Sequence, residues 1–230
     1  MTVRELLDRA ASRLESGESL HGVAPRARTI VMIAVQVTVS RAYRALGLFD
    51  KAAVQAKSAL ALARAADPPQ PALLVDALFE CGEIHRIRLE REDSIRDLKE
   101  AFALIEKLPG DTRLLTASVL NALAGAEACI GNYKKAEPLM RRALDIYTEI
   151  RGADSVDVAT FLGNYAQIRL QAGATDEAVE MLKRTAEIHK KARGENHILY
   201  ARDIYNLGWV LGSGGGRWRR SPTSSRHTPR

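Results

Sequence analysis

The sequence predicts an all-α fold, a solenoid of antiparallel helix pairs, and three observations predict it. Ala, Leu, Arg and Glu dominate a chain that is 46% hydrophobic but only 5% aromatic, a composition that favours helix over sheet. Residue types recur at a step of 42: Gly47, Leu89, Gly131 and Gly173 fall in one column. Several further columns keep the same step without a gap, which is the signature of stacked supersecondary units.

The first element is a helix near the N-terminus. Thr2 followed by Glu5 fits a capping box for a helix through about Leu14, with Val3, Leu6, Leu7 and Ala10 on one face. Gly17 to Pro25 reads as a loop, and Pro25 restarts the chain into the next helix. Residues 1–24 are therefore expected to form a capping helix and loop.

The repeat domain follows over 25–211, in units of about 33–74, 75–116, 117–158 and 159–200, with a half repeat at 201–211. Each unit is a hairpin, helix A then helix B, turning at the 47/89/131/173 column, where glycine takes the left-handed conformation that ends helix A. Small residues precede it at Ser40, Gly82, Ala124, Ala166 and Gly208, and follow it at Ala52, Ser94, Ala136 and Ala178. Ala59, Ala101, Ala143 and Thr185 make another small column. These columns let helices A and B approach closely. Leu62, Leu104, Ile146 and Ile188 supply aliphatic filling between hairpins.

The last element is a helix A that begins near His197. Leu207, Val210 and Leu211 are expected to face a partner helix, but Ser213-Gly214-Gly215-Gly216 interrupts the pattern and no apolar period follows. Residues 212–230 read as a disordered basic tail. An uncapped half-hairpin implies truncation or a reading-frame shift near residue 212, and a native tail is the alternative.

Charge and cysteine content exclude several classes. Without Arg217, Arg219, Arg220, Arg226 and Arg230, 29 basic residues face 28 acidic ones, a net of +1, so nearly all of the formal +6 belongs to the tail. A nucleic-acid binder needs a basic face on its folded surface, so no specific nucleic acid is expected. Cys81 and Cys129 are too few for a disulfide framework or zinc site and read as two buried thiols. The N-terminus carries no apolar signal segment, and the longest apolar run, Ile30 to Val39, is too short to span a bilayer. A cytoplasmic protein without a membrane span is expected.

The columns resemble the tetratricopeptide repeat, whose pattern is a small residue and an aromatic in helix A, a turn glycine, then two alanines in helix B. Ser40, Tyr43, Gly47, Ala52 and Ala59 show it best; the aromatic slot then becomes His85, Glu127 and Arg169. The 42-residue period resembles the kinesin-light-chain-like subclass. Gly152-Ala153-Asp154-Ser155-Val156 and Gly194-Glu195-Asn196-His197-Ile198 occupy its connecting segment without the proline, and Leu162-Gly163-Asn164-Tyr165-Ala166 echoes its Leu-Asn-Asn-Leu-Ala run. The resemblance implies a right-handed superhelix with helix A lining a concave, protein-binding groove. Thr2-Val3-Arg4-Glu5 and Tyr43-Arg44-Ala45-Leu46-Gly47 also resemble the segment leading into the C-terminal repeat region of bacterial membrane-linked serine/threonine kinases. No kinase catalytic motif is in the chain. Descent from such a kinase would imply an extracytoplasmic location.

No constellation looks catalytic, and neither a cofactor nor a metal is expected. Ser213-Gly214-Gly215-Gly216 lacks the lysine of a phosphate loop, and the five histidines show no pair at metal-ligand spacing. His85 and His189 read as structural, and Glu90-Arg91-Glu92-Asp93 as a solvated turn that starts helix B. The groove positions of helix A are expected at Arg41, Arg44, Glu83, Arg86, Asn121, Asn164, Gln167, Arg202, Tyr205, Asn206 and Trp209. Asn and Gln both donate to and accept from an extended backbone, Arg suits carboxylates, and exposed aromatics make anchors. The clamp of chaperone-binding relatives is not reproduced, because Val37, Arg41 and Glu80 stand in its first three places.

The expected function is a non-catalytic interaction module that binds a protein or peptide. The alternative is the detached sensor or regulatory region of a bacterial kinase or transcriptional regulator. Self-association through the uncapped half repeat is the further partner expectation.

Overall fold

The computed structural model describes residues 2–15 and 22–212. Of the expected tail at 212–230, Gly212 instead ends the last helix and the remainder lies outside the described residues, as does most of the loop after the first helix. Among the described residues there are ten helices and no strand. Helix α1 (Val3–Glu15) precedes four helix pairs: α2 (Pro25–Ala45) with α3 (Phe49–Ala65), α4 (Pro71–Ile87) with α5 (Arg91–Ile105), α6 (Arg113–Cys129) with α7 (Tyr133–Arg151), and α8 (Val156–Gln171) with α9 (Thr175–Arg193). Helix α10 (Ile198–Gly212) follows alone. The expected unit boundaries at 75, 117, 159 and 201 each fall about one turn inside a helix A.

The chain forms two compact units, Met1–Ile146 and Tyr147–Arg230. In the first, α2 to α6 pack each against the next, and α4 also touches α2 and α6. In the second, α9 packs between α8 and α10 in sequence. The first unit stacks one helical hairpin on the next, and the second packs α10 on the α8–α9 hairpin, because a single hairpin cannot bury its apolar side alone.

The turns repeat to the residue. Helix B starts at Phe49, Arg91, Tyr133 and Thr175, and the turn residues Gly47, Leu89, Gly131 and Gly173 all have positive φ, from 63° to 89°. Each turn closes with the same bond, a backbone N–H one residue after the turn position donating to a carbonyl five residues back. These bonds are Leu48 to Tyr43 (2.9 Å), Glu90 to His85 (2.9 Å), Asn132 to Glu127 (3.0 Å) and Ala174 to Arg169 (2.9 Å). This is the Schellman end of a helix. Leu89 adopts it at φ 63° although leucine disfavours that region. The second turn is therefore intact where the sequence pattern breaks.

The capping box forms: Thr2 N–H donates to Glu5 Oε2 (2.9 Å) and Glu5 N–H to Thr2 Oγ1 (3.2 Å). The apolar side of α1 differs from expectation. Leu7 and Ala11 pack on α2 and α3, whereas Leu6 is 47% exposed. Asp8 sets this rotation, accepting from the Tyr43 hydroxyl (2.7 Å) and from Lys51. Those two hydrogen bonds hold its carboxyl below the ordinary range. A polar anchor at position 8 turns the i, i+4 pair 7/11 inward.

The small columns are where helices touch. Ser40, Ala124, Ala166, Ala52, Ser94, Ala136, Ala178, Ala59, Ala101 and Ala143 have no exposed surface. At Gly82 an added methyl would lie 2.6 Å from Leu98 Cγ, so α5 rests on the backbone of α4 there.

In the degenerate aromatic slot polar side chains face polar neighbours. His85 Nδ1 lies 3.0 Å from Asp97 Oδ2, and its Nε2 3.5 Å from Glu90. Burial pushes the Asp97 carboxyl up, but the close approach of His85 and hydrogen bonds from Arg96 outweigh it and hold it below its ordinary value. Glu127 follows the same pattern: burial raises its carboxyl, while Asn132 (2.9 Å) and Lys99 (3.3 Å) lower it further. Arg169 donates to Glu177 at 2.7 Å. Cys81 is buried as expected, and its thiol is pushed up to about 12 by burial and by Asp97 and Glu80. Cys129 corrects the expectation: it is exposed, because it ends α6 at the turn.

Candidate binding faces

Helix A exposes the residues that helix B leaves uncovered. In the first unit, Arg41 and Arg44 lie three apart on α2, and Asp76, Glu80 and Glu83 lie four and three apart on α4. Each set shares a helix face, and the two faces meet. Arg44 reaches Glu80 with two hydrogen bonds (2.9 and 3.2 Å), and its other amino group lies 3.7 Å from Glu83. Arg41 bonds Asp76 at 3.0 Å and approaches Glu80 at 3.6 Å. Glu83 accepts two bonds from Arg86, at 2.9 and 3.1 Å. Arg86 extends over Gly125 of α6, 3.8 Å from where a methyl there would sit, one turn from Asn121.

The result is a ladder of three guanidinium groups and three carboxylates. Glu80 is its centre: the side chain is fully buried, and it also accepts from Ser40 at 3.2 Å. A buried carboxylate persists only when paired and hydrogen-bonded. Sequence reasoning selected Arg41, Arg44, Glu83 and Arg86 but missed Asp76 and Glu80 as their partners. The legible signal was the 76/80/83 acidic stripe, one repeat along from the arginines. The arginines are thus engaged internally and not presented as open carboxylate receptors. Val37 and Glu80, two of the clamp positions, are both buried.

In the second unit, Asn164 and Gln167 lie on α8, and Arg202, Tyr205, Asn206 and Trp209 on α10. Asn164 is exposed and Gln167 half-buried. Arg202 is half exposed and Trp209 is 46% exposed. The step of 42 sorts these residues further. Gln167 and Trp209 continue the column of Arg41 and Glu83, and Asn164 and Asn206 that of Glu80. Tyr205 and Asn121 share the column of Val37 and Gly163. Val37 packs on Ala59 and Ala63, and Gly163 faces Thr185. That column therefore turns toward helix B.

Helix α10 is held by a buried pair, His189 of α9 with Asp203, in direct hydrogen-bond contact. Val210 and Leu207 pack with Ala166, Leu170, Ala178 and Leu182. Both face the preceding hairpin, unlike the expectation that they face a missing partner. Leu211 alone of those three is exposed, at 57%. Among the described residues, no helix is long and apolar enough to cross a membrane.

Solved structures share the helical-repeat fold. BtubC (BKLC) from P. vanneervenii matches over 100% of both chains at 16% identity and a TM-score of 0.74. RapI in its apo form matches at 17% identity over 92% of this chain and 79% of its own, with a TM-score of 0.67. A Podosopora anserina protein described as a kinesin light chain with nearly identical TPR-like repeats matches at 17% identity over 80% and 87%, with a TM-score of 0.63. No curated protein matches the sequence. The tetratricopeptide repeat profile matches residues 75–149 and 157–220. It starts at the second hairpin, although the first carries the clearest residue pattern. That profile spans more than half of the sequence, and the chain belongs to the tetratricopeptide repeat family.

Proposed function

We propose that this chain is a non-catalytic docking module that binds a protein or peptide on the exposed A-helix face of its second unit. The observation that carries the reading is the set Arg202, Asn206 and Trp209 on one side of α10, with Trp209 46% exposed. The arginine ladder of the first unit is neutralised internally, so it serves to set α2 against α4. The second unit offers an aromatic anchor, amide side chains and one guanidinium. That chemistry suits a short peptide with an aromatic or aliphatic anchor and an available backbone. Fold alone does not select a ligand.

Selection from a displayed peptide library tests this. The whole chain is expected to enrich a consensus sequence whose binding falls about tenfold in Trp209→Ala or Arg202→Ala. Enrichment of no sequence, or equal binding by both variants, would sink the reading.

A second reading makes the chain the regulatory region of a kinase or regulator. Its support is that the resembling segment folds as one piece, with the Thr2–Glu5 box formed and Asp8 joined to Tyr43. A kinase reading frame adjoining the gene would support it, and its absence would remove it.

A further inference from the structure

The opposite side of α10 is built to be covered. Five columns face helix B in the earlier repeats. Ile33, Val75, Ala117 and Ala159 have no exposed surface, and Ala201 in the same column is exposed. Gln36, Leu78 and Leu120 are buried, and Ile204 is 44% exposed. Val37 is buried and Phe79 half-buried, and Tyr205 is 72% exposed. Tyr43, His85 and Glu127 are buried, and Leu211 is 57% exposed. At the small column, Gly82 is filled by Leu98, whereas a methyl built on Gly208 meets nothing within 4 Å.

From this we infer that α10 accepts a helix B in trans, an amphipathic helix of a partner protein with the spacing of the chain's own B helices. The hairpin interface fixes that spacing. The B helices carry Ala52, Ser94, Ala136 or Ala178, then Ala56, Leu98, Met140 or Leu182 four on, then Ala59, Ala101, Ala143 or Thr185 three further. In residues 213–230 the same step places Arg220, Ser224 and His227, which cannot supply an apolar stripe. Of the earlier A helices, α4 is nearest to α10 in pattern: Leu78, Phe79 and Gly82 correspond to Ile204, Tyr205 and Gly208. Leu98 of α5 seats on Gly82 and packs with Phe79. The partner helix therefore resembles α5, with leucine over Gly208. Leu211 replaces His85, so an apolar residue replaces Asp97.

The face is continuous with the interface that α8 and α9 already form, and the His189–Asp203 pair with Val210 fixes its orientation. It lies on the side of α10 away from Arg202, Asn206 and Trp209, so this inference and the proposed peptide-binding face fail independently.

The test uses the full 230-residue chain and a fluorescein-labelled peptide of residues 91–105 carrying Asp97→Leu. Fluorescence anisotropy is expected to show saturable binding that weakens about tenfold or more in Gly208→Leu and in Ile204→Glu. Arg202→Ala is expected to bind as wild type does, and circular dichroism is expected to show all three variants folded. No binding up to about 1 mM peptide, or unchanged binding by both Gly208→Leu and Ile204→Glu, overturns the inference. Sedimentation as a dimer that Ile204→Glu converts to monomer also overturns it, because a second copy would then cover the face.

Discussion

Ser40 and Ser94 make the same contact from opposite sides of successive hairpins. Ser40, on helix A, donates to the carbonyl of Ala52 at 2.9 Å, whereas Ser94, on helix B, donates to the carbonyl of Gly82 at 2.8 Å. Residues 40 and 82 share one column, and 52 and 94 share the other. The hydroxyl has changed helices while the contact between them has been kept. Ser94→Ala and Ser40→Ala are each expected to cost about 1 kcal/mol, since the single hydroxyl proton of Ser40 is shared between the Ala52 carbonyl and the Glu80 carboxylate. Urea unfolding measures both, and a Ser40→Ala variant as stable as wild type would contradict the assignment.

Leu89 holds a positive φ with its side chain 65% exposed, so it is strained without a compensating burial. Leu89→Gly is expected to stabilise the chain by about 1 kcal/mol, and Gly131→Leu to destabilise it by about 1–2 kcal/mol. Thermal melts of the two variants should shift in opposite directions.

The Arg44–Glu80 pair is asymmetric. Removing the guanidinium leaves a fully buried carboxylate with only the Ser40 hydroxyl and the more distant Arg41, whereas Glu80→Gln keeps a hydrogen-bonding group and leaves Arg44, a quarter exposed, able to reach water. Arg44→Ala is expected to cost about 2–4 kcal/mol and Glu80→Gln about 1 kcal/mol. Equal costs in chemical denaturation would refute the asymmetry.

The two thiols should separate kinetically. Cys129 is exposed, whereas Cys81 is buried with its thiol pushed up to about 12. A thiolate-selective reagent is expected to modify one cysteine rapidly and the second only on unfolding. Mass mapping should place the fast adduct on Cys129.

Acid should weaken the first unit through Asp97 and Glu127. Both carboxyls are lower in the folded chain than their ordinary 3.8 and 4.5. The stability they contribute is present above those ordinary values and is lost as pH falls through the lowered ones. Melting temperature should therefore drop from about pH 5 to about pH 2. Asp97→Asn should be less stable at the upper pH and show a shallower drop, and an equally steep drop would exclude Asp97 as a source.

The hairpin architecture was legible because its marks are local. A glycine at the turn, and a small residue where two backbones meet, each state a conformation or a distance that few residues satisfy. Leu89 was legible only as a lost glycine, since packing on both sides imposes the turn without the residue that favours it. The side-chain pairings were less legible. Arg41 and Arg44 could be placed on a face of helix A, but their carboxylates come from a helix more than thirty residues away, and only stacking shows that the two meet. Helical phase was the other limit. One polar anchor, Asp8, rotated α1 so that Ala11 and not Leu6 is buried, and α10 turns Val210 inward and Leu211 outward.

The recurrence of the turn has an engineering consequence. A gene spliced to join Leu89 to Asn132 would lead α4 into α7 through an unaltered bend, as if one cassette had been dropped. It would also set Leu139 opposite His85 where Asp97 stood, leaving an imidazole without its acid in the interior. The backbone allows shuffling, and the buried polar pairings oppose it; the order of the units is written in those side chains.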